Sequence, residues 1–337
     1  MATEALGSEL RERCNLLHVQ RVLVRSTHTF VTAMNRPPHA RLEMPPRVER
    51  DDDGALRSVR PNDDEIDLFG ITDPGLVRRD NQDHFFIAMV HPQINVVGTS
   101  LPSDCALPLR GSRLGTILMV ADGVGGSADG ATAARLATMA VADYISASFR
   151  SYHEAGAGRG GDFLESLRTA AFLAHERVRA ASLAAGHGHM ATTLTLGIGV
   201  WPWIYIVQVG DSRAYIYTQG SLRQITRDQT LAEDFVDRGL MKPEAREKSP
   251  LAHVLVSSIG GDEAAPIVSR VDVSERGCVL LFCSDGLTKH VTDPEIAMHC
   301  AAMQNAEQLA RDLLKLALDR GGSDNITIVI ARAPQTT

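Results

Sequence analysis

The chain has 337 residues, 44% of them hydrophobic and 22% charged, and a formal charge of −7. A chain of this length buries about 75% of the surface it exposes when unfolded, so it needs neither disulfides nor a structural metal to fold. No apolar run approaches the roughly 20 residues that cross a bilayer, and an acidic chain with 5% aromatic residues is a poor candidate for a nucleic-acid binder.

In chain order, the first stretch stands apart. Residues 1–60 carry ten Arg, no Lys and eight acidic residues, together with Pro37-Pro38, Pro45-Pro46 and the run Asp51-Asp52-Asp53. Residues 1–62 therefore read as a disordered or loosely packed arm, and 63–335 as the folded domain. The arm shows charges and no apolar core with a cleavage site, so no secretory signal is visible. The five cysteines, Cys14, Cys105, Cys278, Cys283 and Cys300, contain no CxxC pair. An odd, scattered set fits a reducing compartment, and a cytoplasmic location is the expectation.

Regular patterning begins near residue 65. Ile66–Thr72 and His84–Val90 predict two strands, with the turn signal Asp73-Pro74-Gly75 between them. Residues 91–113 lack periodicity and read as a long loop. The apolar run Thr116–Ala121 follows, then two helical stretches joined at Gly156–Gly161. The second carries Leu164, Leu167, Ala171, Ala174 and Val178 at helical spacing, with Asp162 placed as its N-cap. Strand character returns over 192–225, where Leu194, Leu196, Ile198 and Val200 alternate with Thr195, Gly197 and Gly199. Residues 227–258 are mixed and charged. A strand pair over 266–283 follows, then a helix with Ala306, Leu309, Leu313 and Leu316 on one face, and a last strand, Ile326–Ala331. This order predicts an α+β fold, antiparallel sheets covered by helices.

One feature recurs along these elements. The strands Thr116–Ala121, Ile204–Val209 and Val279–Cys283 run into Asp122-Gly123, Gly210-Asp211-Ser212 and Ser284-Asp285-Gly286, while Asp324 precedes the last strand and Asp83 opens the second. A single aspartate of this kind is usually a turn residue. Several converging would repel, by about 4 kcal/mol for a pair 4 Å apart at an effective dielectric near 20. A divalent cation resolves that conflict. Oxygen-only ligation favours Mg2+ or Mn2+, and more than three carboxylates suggest a two-ion centre that activates water for attack on phosphorus.

The same residues carry a resemblance. Gly75-Leu76-Val77-Arg78-Arg79-Asp80-Asn81-Gln82-Asp83, Val120-Ala121-Asp122-Gly123-Val124-Gly125-Gly126, Ala191-Thr192-Thr193, Val209-Gly210-Asp211-Ser212-Arg213-Ala214-Tyr215, Ser284-Asp285-Gly286-Leu287 and Gly322-Ser323-Asp324-Asn325-Ile326-Thr327 follow one another in the order found in PP2C-type (PPM) protein serine/threonine phosphatases. The chain resembles the bacterial members of that family over roughly residues 66–332. The resemblance implies a four-layer α-β-β-α sandwich with two central antiparallel sheets, and hydrolysis of phosphoserine and phosphothreonine in proteins, reversing a serine/threonine kinase. It also implies two Mn2+ or Mg2+ ions. Asp122 would bridge both, with the Gly123 carbonyl on one of them and Asp285 and Asp324 on the other. Asp83 would orient metal-bound water, and Arg78 would bind the substrate phosphate. Asp211 resembles the aspartate that contributes to a third, weaker ion; its alternative reading is a strand-end turn residue.

Four positions depart from the family pattern. Gln82 stands where many members carry Glu, and Val124 where animal enzymes carry a His proposed as general acid. Lys289 stands where some members place another metal-ligating Asp, which weakens the case for the third ion. Gln229 replaces the usual His of the flap motif. Gly123-Val124-Gly125-Gly126 lacks the residues of a nucleotide-binding loop. His187-Gly188-His189 reads as solvent-exposed, Trp201-Pro202-Trp203 as a hairpin tip, and Cys283 as an inert thiol. Asn325 either contacts phosphate or caps its turn. The rival to an enzyme is a catalytically silent phosphoprotein-binding or regulatory module on the same fold.

Overall fold

The computed structural model describes residues 60–334, apart from 94, 97–108, 126–127, 155–159, 187–189 and 247. The arm expected over 1–62 thus lies, except for its last three residues, outside the described residues. So do most of loop 91–113 and the pair His187 and His189.

In chain order the strands are β1 (Asp67–Asp73), β2 (His84–Val90), β3 (Gly115–Ala121) and β4 (Gly123–Val124), followed by helices α1 (Ala128–Glu154) and α2 (Gly160–Ala184). Strands β5 (Ala191–Thr192), β6 (Leu194–Val200), β7 (Trp203–Val209), β8 (Arg213–Thr218) and β9 (Ser221–Gln224) come next, then α3 (Leu231–Asp237) and β10 (Ile267–Asp272). The chain closes with β11 (Val279–Cys283), α4 (Asp285–Thr288), α5 (Asp293–Ala302), α6 (Ala306–Asp319) and β12 (Ile326–Arg332). Two five-stranded sheets result, ordered β1-β12-β11-β8-β9 and β10-β7-β6-β3-β2, and every pairing within them is antiparallel.

Three apolar cores separate four layers, as the α-β-β-α expectation requires. Ala137, Val141, Leu167, Ala171 and Val178 of α1 and α2 pack on Met119, Leu194, Leu196 and Ile198. Between the sheets, Leu118, Val120, Ile204 and Ile206 meet Ala214, Ile216, Phe282 and Val329. On the far side α5 and α6 cover Leu281, Ile328 and Ile330. The alternation read in β6 therefore separates two cores: its leucines face the helices, while Phe282 of the opposite sheet lies over Gly197.

Three expectations shift. Helix α2 begins at Gly160, so Asp162 lies in its first turn and is not the N-cap. Exposed N–H groups and the helix dipole favour a carboxylate at either position, so the residue type alone does not fix the boundary. The buried face of α6 is Ala306, Leu309, Ala310, Leu313, Leu314 and Ala317, and Leu316 is only partly covered. Strand β2 spans His84–Val90 as expected, so Asp83 immediately precedes the strand and does not open it.

Antiparallel register brings the aspartate-bearing strand ends together. His84 pairs with Ala121, which sets Asp83 beside Asp122. Cys283 pairs with Ile328 on one side and Arg213 on the other, which brings the ends leading to Asp285, Asp324 and Asp211 to one edge. Leu194 pairs with Val209, closing the same end in the second sheet. Among the described residues, no helix is long and apolar enough to cross a membrane.

Candidate metal centre

The aspartates are fixed through their backbones by neighbouring hydroxyls. The Asp122 N–H donates to Thr193 Oγ1 (3.0 Å), and its carbonyl accepts from Thr193 N and Thr192 Oγ1, both at 2.8 Å. Thr193 Oγ1 also meets Ser212 Oγ at 2.7 Å, which couples the Asp122 turn to the residue after Asp211. The turn carrying Asp211 is braced by Gln229, whose Oε1 accepts from Gly210 N (2.7 Å) while its Nε2 donates to Ala265 O (2.7 Å). Gln229 thus gives the 227–258 segment a structural purchase on the site.

Ser284 performs the same service on the other sheet. Its hydroxyl donates to Asp83 Oδ2 (2.7 Å) and accepts from Thr327 N (2.9 Å). Asn325 ties down the loop that carries Arg78: its Nδ2 donates to Pro74 O and Asp80 O, each 3.0 Å, and its Oδ1 accepts from Gln82 N at 2.9 Å. Of the two readings open for Asn325, these contacts support the turn-holding one.

The glycine after each of two aspartates permits backbone contact that a side chain would block. A Cβ on Gly123 would stand 2.5 Å from the Gly130 backbone, and one on Gly286 would stand 2.0 Å from Asn325 O. Gly286→Ala is therefore expected to destabilise the fold by about 3 kcal/mol or more, since the blocking atoms are main chain and cannot rotate away. Thermal melting would register this as a large fall in Tm; a wild-type Tm would mean the two backbones can separate freely.

Burial falls in steps from the floor of the site to its mouth. Asp83 is 2% exposed and Asp211 7%, the Asp285 and Asp324 side chains 15% and 18%, and Arg78 50%. Charge compensation runs the other way. Arg78 Nε and Nη2 donate to Asp324 Oδ1 (2.8 Å) and Oδ2 (3.0 Å). Lys289 Nζ lies 2.7 Å from both Asp324 Oδ2 and Asp285 Oδ2, and His253 Nδ1 lies 3.6 Å from the latter. Among the described residues Asp83, Asp122 and Asp211 make no ion pair. Asp83 Oδ1 is buried without a hydrogen-bond partner.

Titration follows this division. Desolvation, then the neighbouring Asp83, Asp285, Asp211 and Asp324 carboxylates, hold the Asp122 carboxyl well above the usual range. Desolvation with the Asp285 charge pushes Asp83 up to about 6, and desolvation with Asp285 and Asp228 pushes Asp211 up to about 7. Burial would raise Asp285 and Asp324 as well. There His253 and Lys289 on the one, and Lys289 and Arg78 on the other, more than offset it and hold both below the usual value.

All five aspartates singled out in the sequence, with Gly123 and Arg78, therefore meet at one end of the sandwich. An orphaned buried carboxylate oxygen and three carboxyls without a cation form a donor set that suits a hard divalent ion. Asp211, His253 and Asp285 also offer ligand atoms within 4.8 Å of one another. Sequence reasoning missed Ser284, His253 and the placement of Lys289 among the acids. The i,i+4 spacing of Asp285 and Lys289 was the available signal for the last.

Comparison with known proteins bears on this site. The profile of the family described as Protein phosphatase 2C matches residues 98–319. The serine/threonine protein phosphatase PstP of Mycobacterium tuberculosis is 30% identical over 261 residues, 77% of this chain and 43% of PstP, so the chain spans less than half of that relative. The solved M. tuberculosis PstP/Ppp structure is 28% identical and superposes with a TM-score of 0.63 over 80% of this chain and 99% of that one. The PstP catalytic domain in complex with two manganese ions, also 28% identical, gives 0.60 over 79% and 97%.

Proposed function

The chain belongs to the protein phosphatase 2C family, and from that premise we propose that it hydrolyses phosphoserine and phosphothreonine in proteins with two Mn2+ or Mg2+ ions at the aspartate cluster. The observation that carries this reading is the convergence of five carboxylates, three of them without a cation and one with an orphaned oxygen. Asp122 and the Gly123 carbonyl would hold one ion, and Asp122, Asp285 and Asp324 the other. When bound, the ions supply Lewis acidity and an activated water for in-line attack on phosphorus. Asp83, held by Ser284 through Oδ2, would orient that water through Oδ1. Arg78, half-exposed at the mouth, would take the phosphate with its planar guanidinium. Val124 offers no proton, so the leaving group would draw one from solvent in the site.

Phosphoprotein substrates, a cognate serine/threonine kinase and a cytoplasmic location belong to the same proposal. The described cysteines, Cys278, Cys283 and Cys300, are free and buried, which suits a reducing compartment. The direct test is turnover of phosphoserine and phosphothreonine peptides with Mn2+ and with EDTA; absence of Mn2+-dependent phosphate release would refute the proposal. Arg78→Ala is expected to raise KM by about tenfold with a smaller change in kcat, because it removes binding to a group already charged in the ground state. An unchanged KM would remove Arg78 from substrate recognition.

The rival reading is a silent phosphoprotein-binding module. It draws on one observation: Asp324 already accepts from Arg78, Lys289 and the Asn325 N–H. Titration calorimetry separates the two, since a silent module of this kind binds phosphopeptide and no Mn2+.

A further inference from the structure

We propose that Lys289 is a built-in cation of the aspartate cluster: its ammonium neutralises Asp285 and Asp324 and takes the place of a third metal ion, so that this chain holds two ions and no more. The inference deepens the two-ion reading and concerns how the remaining acidic charge is compensated. Its basis is the position of Nζ, 2.7 Å from a carboxylate oxygen of each aspartate. The Lys289 side chain is only 21% exposed, too enclosed for a solvent-dominated surface pair.

The one-turn helix α4 sets this geometry. Lys289 N donates to Asp285 O at 2.8 Å, so the lysine stem rises from the residue one turn beyond the aspartate and returns over it. A third ion would need the ligand atoms that Asp211, His253 and Asp285 bring within 4.8 Å of one another. The Asp285 oxygen facing His253 is Oδ2, the same atom that Lys289 grips. An ion there would have to share Oδ2 with a fixed ammonium, where like-charge repulsion and loss of a ligand act together. The other Asp285 oxygen, Oδ1, which Lys289 and His253 leave alone, remains available to the second ion.

Two measurements on the full chain test this. The first counts bound Mn2+ by equilibrium dialysis and metal analysis. Wild type is expected to saturate at two ions per chain and Lys289→Asp at three. Three ions on wild type, or only two on Lys289→Asp, would overturn the proposal. The second is thermal melting of wild type and Lys289→Met in EDTA at low salt. Methionine keeps the stem and removes the charge, leaving two enclosed carboxylates short of a partner, and Tm is expected to fall by about 5 °C or more. Equal melting temperatures would overturn the neutralising role. Should wild type bind no Mn2+, the two-ion reading fails, while the EDTA comparison still decides what Lys289 does.

Discussion

Asp122→Asn is expected to lower Mn2+-dependent turnover of p-nitrophenyl phosphate at least about a thousandfold, equivalent to about 4 kcal/mol of transition-state stabilisation, while leaving the fold intact. Both halves of that expectation come from how the residue is held. Its backbone, not its side chain, carries the structural contacts: the N–H donates to Thr193, and the carbonyl accepts from Thr192 and Thr193. Asparagine preserves these bonds and nearly the same volume. It removes a carboxylate that desolvation and four acidic neighbours already hold well above its usual titration range. In EDTA the variant should therefore melt at or above the wild-type temperature, because a buried carboxyl that is costly to ionise has been replaced by a neutral amide. In Mn2+ it should gain less stability than wild type, having lost the ligand proposed to serve both ions. Undiminished turnover would withdraw Asp122 from the chemistry. A collapsed melting curve in EDTA would instead mean that its carboxylate is structural.

The contrast between Asp122 and its supports also shows which parts of the molecule were legible in the sequence. Strand-end aspartates could be read because apolar strands announce their ends, and a carboxylate followed by glycine stands out against them. The layers could be read for the same reason: β6 alternates, α6 repeats with helical spacing, and β11 is apolar throughout. Helix α5 could not, since only Ile296 and Cys300 are buried and its other residues carry no periodic signal. Nor could the supporting hydroxyls. Thr193, Ser212, Ser284 and Thr327 act by contacts between residues up to 201 positions apart, such as Ser284 with Asp83, and nothing in a serine's sequence neighbourhood encodes a distant partner. Lys289 stands out in the sequence only as a departure from a pattern. Its grip on Asp324, 35 positions away, follows from the pairing of β11 with β12 and had no local signal.

Stability should depend on pH in a way that Mn2+ reverses. In the metal-free chain Asp83 and Asp211, buried beside other carboxylates, titrate near 6 and 7, against the usual 3.8. Between about pH 4 and 7 the folded state thus retains protons that the unfolded chain has released, and stability falls as pH rises through that window. His253, raised chiefly by its bond to Asp285, contributes with the same sign: its share is present below about 6.5 and lost above it. Asp285 and Asp324, held below 3.8, act only in more acidic solution. The partly buried His84 and the buried His175, whose pKa values are lowered chiefly by desolvation, oppose the trend below about 6.5. They lie outside the proposed ligand set, so their effect is common to chelated and metal-loaded protein and cancels in the difference. A divalent ion replaces the protons on the acidic cluster. The gap in Tm between Mn2+ and EDTA should therefore be small at pH 5 and widen by several degrees by pH 7.5, because at the lower pH the ion must displace protons that the raised carboxyls still hold. A gap that stays constant across this range would mean that bound Mn2+ does not displace protons from Asp122 and the acidic neighbours coupled to it, and the two ions would have to be placed elsewhere.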